Sequence, residues 1–334
     1  MNKLSGKTRL IIALSSAVLA LSVASLIYFQ RQFVSDSIVN FFFSPSIEVR
    51  EIESSIGLTN EGKRIFYATQ PELTSSRRFN QRCPRQEDKS PIIGCYTSDD
   101  RVYIYKISNA DLDGIEEVTA SHEMLHAVWS RHNDSEKKRL TSLLDGAYGK
   151  LADNNELHER MEYYKRTEPG EFYNEIHSIL GTEVADLGQE LEKYYAQYFN
   201  NRQQILAFHQ QYYSIYESLN TRANELQSQM EALSANISAA LDFYNDELHS
   251  LNIDINSFNI RANAGDFPSM SAFYSERSAL TSRSEALEQN RLELNQEIER
   301  YGILQDEYTD IANKIEILNK SLDSFESIEK PPTV

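Results

Sequence analysis

The stretch Glu117–His132, EVTASHEMLHAVWSRH, places two histidines four residues apart with a glutamate beside the first. On a helical wheel His122 and His126 lie about 40° apart, flanked by Val118, Leu125 and Trp129, so both imidazoles turn inward with the apolar side. That spacing lets two ring nitrogens approach one zinc ion at about 2.0–2.1 Å. Glu123 falls further round the wheel. From there a carboxylate reaches a metal-bound water without ligating, takes its proton and passes it to a leaving amine. The bland alternative is two histidines in an ordinary core, but HExxH arises by chance in only roughly one chain in a hundred of this length. Asp113, three residues ahead of Glu116, predicts a capping box that starts this helix.

A catalytic zinc needs a third protein ligand and an open position. The segment TEPGEFYNEIHSILGTEV predicts a helix from Pro169 that carries Glu171, Glu175, His177 and Glu183. Here the chain resembles the lethal-factor-like zincins, which have HExxHAV and, further on, a tyrosine, a short turn and a helix opening with a glutamate followed by two aromatics. HEMLHAV occupies residues 122–128 and YKRTEPGEFYNE residues 164–175, and the resemblance covers residues 118–178. It implies a gluzincin, a zinc metallopeptidase of HExxH type. Its ligands would be His122, His126 and Glu171, with Glu175 one turn on as the partner behind the third ligand and Tyr164 as a hydroxyl donor to the oxyanion. Met124 and Leu125 depart from it, because such motifs often carry a small residue there. NEIHS also looks like the NExxS of thermolysin-type enzymes, which makes Glu175 the ligand, although Ile179 stands where that motif closes with an aspartate. Glu183 is a third alternative on the inward face, provided the helix continues past Gly181, and His177 points away from that face.

Fifty acidic residues against thirty-three basic ones leave a net charge of -17, which a phosphate backbone repels, so nucleic acid is not an expected partner. From Leu10 to Phe29 the chain carries no charge, and about 20 residues make about 30 Å of helix, enough to cross a bilayer. Lys3, Lys7 and Arg9 precede this run. By the positive-inside rule residues 1–9 form a cytoplasmic tail and 10–29 a transmembrane signal anchor. The expectation is a single-pass, membrane-anchored protein with its catalytic part outside the cytoplasm, at the cell surface or in the periplasm. A signal peptide cleaved after Ser22-Val23-Ala24 is the rival. Cys83 and Cys95, the only cysteines, bracket a polar loop, and a disulfide closing it would stabilise the fold by about 3 kcal/mol.

Ahead of the histidines, the sequence predicts a short helix, a turn at Asn60–Gly62 and a strand at Ile65–Ala68. Alternation on both sides of Ser98-Asp99-Asp100 then predicts a β-hairpin, whose RVYIYKI arm is the candidate edge for an extended substrate. From Ile205 apolar residues recur every three or four positions to Leu251 and again from Leu294 to Phe325, the pattern of a coiled coil. A Gly-Pro break between the runs folds them into an antiparallel hairpin with arms of about 75 Å. Its tip lies at 260–270, with Phe267 exposed on the turn.

The expected fold is α+β and mostly helical. It comprises the N-terminal transmembrane helix, a zincin-like domain over 45–200 with a short antiparallel sheet, and the antiparallel coiled-coil hairpin over 202–328. The expected function is hydrolysis of peptide bonds in a peptide or protein substrate by a zinc-activated water, with Glu123 as general base and the hairpin open to a protein partner. Two other readings remain: a non-enzymatic coiled-coil envelope scaffold with a structural metal site, and a metal-dependent hydrolase of a non-peptide bond.

Overall fold

Short polar side chains start several of the helices. Ser46 accepts a hydrogen bond from the Val49 amide and opens α2 (Ile47–Ile56), which follows α1 (Arg31–Phe42). Thr59 does the same for the Gly62 amide and opens α3 (Asn60–Ala68), with Ile65, Phe66 and Ala68 on its buried side. The strand expected at Ile65–Ala68 is therefore the second half of a helix. A computed structural model describes Ser15, Ser25 and residues 30–84, 92–151, 154–167 and 170–325.

Three strands follow: β1 (Glu72–Thr74), then β2 (Gly94–Tyr96) and β3 (Val102–Tyr105), with α4 (Ser76–Arg82) between the first two. Their order is β1-β3-β2. β2 pairs antiparallel with β3, but β1 pairs parallel with it, so the sheet is mixed and not antiparallel throughout. A disulfide joins Cys83, just after α4, to Cys95 in the middle of β2. Cys83 is buried with Phe79, Tyr103 and Tyr105.

The central helix α5 (Ile115–Arg131) begins at Gly114, whose φ of 92° suits a residue without a Cβ. The expected Asp113–Glu116 capping box is absent, because the Glu116 carboxylate accepts instead from the Ile107 amide at 2.7 Å. Around α5 lie α6 (Asp134–Tyr148), α7 (Asn155–Thr167), α8 (Phe172–Glu183) and α9 (Gln189–Tyr195). α8 starts at Phe172, and Pro169, the expected start, lies outside the described residues. Val118, Met124, Leu125 and Val128 of α5 share one core with Phe66, Ile104, Ile179, Leu180 and Tyr195.

Two long helices complete the chain, α10 (Arg202–Ala264) and α11 (Met270–Leu322). The chain divides into one unit of residues 1–214 with 318–334 and a second of Ile215–Ile317. These boundaries fall inside the long helices and differ from the expected 45–200 and 202–328. In the first unit Ile205 is buried in the core, and Asn109 Nδ2 donates to Ser321 Oγ at 3.1 Å. In the second, α10 and α11 run antiparallel. Arg222 pairs with Glu307, Arg283 with Glu247 and Asp254, and Arg261 with Glu276, stepping inward toward the turn from both helices. At the tip Phe258, Phe267 and Phe273 lie 5.2–5.4 Å apart and Arg261 covers the Phe267 ring. Phe267 is thus half-buried and not exposed.

The fold as a whole is 79% helical, with eleven α-helices and this one small sheet among the described residues. That corrects the expected α+β class. Strands of three or four residues are too short to form a layer of their own, and capped helices take up the apolar runs beside them. Among the described residues no helix is long and apolar enough to cross a membrane, since the long ones carry charged pairs along their length. The transmembrane helix, and with it the single-pass, membrane-anchored placement, are corrected on that finding. Residues 10–29, the segment that expectation rests on, lie outside the described residues apart from Ser15 and Ser25.

Candidate metal centre

The two histidines of α5 face Glu175 of α8, the helix packed against it. His126 Nε2 lies 3.4 Å from Glu175 Oε1, and His122 Nε2 lies 3.7 Å from Glu175 Oε2. All three side chains are largely buried, with 17% of His122, 9% of His126 and 7% of Glu175 exposed. The ligand atoms of His122, Glu123 and His126 also lie within 4.8 Å of one another.

The orientation of His126 follows from its other nitrogen. Glu171, exposed just before α8, accepts from Asn174 Nδ2 at 2.9 Å. A carboxylate can only accept, so the Asn174 amide must turn its oxygen the other way, and Oδ1 lies 2.9 Å from His126 Nδ1. An amide oxygen likewise only accepts. His126 therefore carries a proton on Nδ1 and turns Nε2 toward Glu175. Ser178 Oγ stands 3.3 Å from the same Nδ1.

Glu175 is unusual for a buried carboxylate, because its Oε2 has no hydrogen-bond partner among the described residues. Burial pushes its pKa up, but the facing His126 and His122, with Arg160, outweigh that and hold it below the usual range. An ionised, incompletely bonded carboxylate beside two imidazoles is costly unless a cation shares the space. Two ligands of one tetrahedral zinc stand about 3.3 Å apart, since each bond is about 2.0–2.1 Å, and the observed separations fit that arrangement. Two imidazoles and a carboxylate are also a zinc-type donor set.

Glu123 is buried on the β2 side of α5 and accepts a hydrogen bond from the Tyr96 amide. Burial raises its carboxyl above the usual range even though His126 and His122 pull it down. The close approach depends on Gly94: a Cβ there would sit 2.4 Å from Thr119 Cγ2 and 2.6 Å from Glu123 Oε1. Tyr105 donates to the Ile93 carbonyl and Thr97 to the Arg101 carbonyl, both at 2.8 Å. In an antiparallel pair this parity turns the backbone groups of Gly94 and Tyr96 away from β3. β2 is therefore the strand edge beside the site, whereas β3, which contains RVYIYKI, is paired on both sides.

Tyr164 is half-buried on α7. Burial first, and then the charge of Glu175, with smaller contributions from Glu123 and Glu183, pushes its hydroxyl pKa up, so it keeps its proton. Glu183 pairs with Arg160 at 2.5 Å and lies 3.7 Å from His209 Nε2. His177 is buried, with Nε2 2.8 Å from the Tyr194 hydroxyl and packed on Trp129 and Tyr195. The structure thus gathers His122, Glu123, His126 and Glu175, and it sets Glu171 behind Asn174. Sequence reasoning missed Asn174 and Gly94. The signal for Asn174 was its place directly before Glu175 in NEIHS, and Gly94 had none.

No family model, curated protein or solved structure matches this chain.

Proposed function

We propose that this chain is a zinc-dependent metallopeptidase in which His122, His126 and Glu175 hold the metal and Glu123 is the general base. The observation that carries this reading is the buried Glu175 carboxylate, one oxygen without a hydrogen-bond partner among the described residues, facing the Nε2 atoms of both histidines. Zinc bound there supplies a Lewis acid and a water of lowered pKa. Glu123, with its carboxyl pKa raised by burial, takes the water's proton and delivers it to the departing nitrogen. Tyr164 donates from its neutral hydroxyl to the carbonyl oxygen as negative charge develops. The outward backbone groups of β2 other than the Tyr96 amide, which is bound to Glu123, pair with an extended chain, which favours a peptide substrate over a compact ester or sugar.

Zinc content and cleavage of a mixed peptide library, measured on parent and Glu123→Gln protein, test this. The variant should keep about one zinc per chain and lose at least about 100-fold in kcat. Undiminished cleavage would overturn the mechanism. Loss of zinc would make Glu123 a ligand and favour a closed structural site, which has four protein ligands.

A further inference from the structure

α7 and α8 pack against each other, and an ion pair between Arg160 Nη2 and Glu183 Oε2 joins them. Neither side chain is fully solvated, with 37% of Arg160 and 17% of Glu183 exposed. Tyr164 stands one turn beyond Arg160 on the same face of α7, and Glu175 two turns before Glu183 on α8. The pair thereby ties the helix that carries the tyrosine to the helix that carries the carboxylate. Glu183 also sits against local preference, since the last turn of a helix carries partial negative charge and disfavours an acid. Arg160 pairs with it there, and His209 Nε2 lies 3.7 Å from the same oxygen. Arg160 acts electrostatically on both Glu175 and Tyr164, which places it within reach of the centre. With Glu183 bound to it, Arg160 is poorly suited to capture a substrate carboxylate.

We propose that the Arg160–Glu183 ion pair is a clamp that fixes the Tyr164 hydroxyl relative to Glu175, acting on the reaction through Tyr164 without touching substrate. The inference rests on the metallopeptidase reading for its effect on rate. Both residues are positioning residues.

The test uses the full chain with zinc and a peptide that the parent cleaves. Arg160→Gln and Glu183→Gln should each lower kcat by about tenfold or more while KM changes by less than about twofold and zinc content is unchanged. In a Tyr164→Phe background, itself slowed, either change should alter kcat by less than about twofold. Arg160→Lys, which keeps the charge without the fork, should fall between Arg160→Gln and the parent. Losses that multiply in the Tyr164→Phe background, or a parental kcat in Arg160→Gln, would overturn the clamp.

A second readout does not need activity. The 19 tyrosines can be replaced by 3-fluorotyrosine, and the fluorine resonance that disappears in Tyr164→Phe belongs to that position. It should shift in both Arg160→Gln and Glu183→Gln. A stationary resonance overturns the clamp even if the parent cleaves no peptide, in which case the peptidase reading has failed separately.

Discussion

Glu171 and Glu175 are separated by one helical turn, which puts them only about 40° apart on a wheel. No angular argument from sequence can choose between them, and that is why HEMLH was readable while the choice between Glu171 and Glu175 was not. What separates them is depth. Glu171 is exposed and bonded to Asn174, whereas Glu175 is buried where both histidine Nε2 atoms face it. Asn174 should then govern the metal through His126. Asn174→Ala should weaken zinc binding by about 10 to 100-fold in a competition titration, as loss of a partner behind a ligand usually does. An unchanged affinity would show that the Nδ1 contact does not orient the ring.

Among the elements, the hairpin flanking Ser98–Asp100 was visible in its alternation, and β2 and β3 form it. Which strand lies at the edge was not visible. That depends on β1, whose three residues are too few to show a period and which pairs in parallel from a distant part of the chain. The helix over Asn60–Ala68 was misread because its apolar residues suit either period, and the Thr59 cap decides the matter. The contact between β2 and α5 is the element-scale feature that the proposed chemistry depends on. Gly94→Val would drive a side chain into Thr119 and Glu123, forcing the strand away. The variant should lose about 1–3 kcal/mol of stability in urea unfolding and about tenfold or more in kcat. A stable, fully active Gly94→Val protein would mean that β2 does not set the position of Glu123.

Across the whole molecule, the apolar periodicity from Ile205 onward was legible but its division was not. The same spacing serves two purposes: Ile205 packs in the core of the first unit, while Leu226 and Leu233 are buried along the paired helices of the second. Arg202 shows what a boundary at residue 201 would cost. Its buried guanidinium donates to the Val184 carbonyl at 2.7 Å and the Ala185 carbonyl at 2.9 Å, closing the end of the helix that carries Glu175. Cutting the chain before it should therefore destabilise the first unit. Replacing Ile215–Ile317 by a short Gly/Ser linker leaves Arg202 and Leu318 onward in place. That protein should keep its zinc and its rate on a small peptide to within about twofold. If it loses the metal, the second unit contributes to the centre.

The most direct test is zinc content after exhaustive dialysis, measured by plasma mass spectrometry on the parent, Glu175→Ala and Glu171→Ala. About one zinc per chain is expected in the parent, with retention in Glu171→Ala and loss in Glu175→Ala, which would leave two of three protein ligands. A parent that binds no zinc, or a Glu175→Ala protein that keeps it while Glu171→Ala does not, would contradict it.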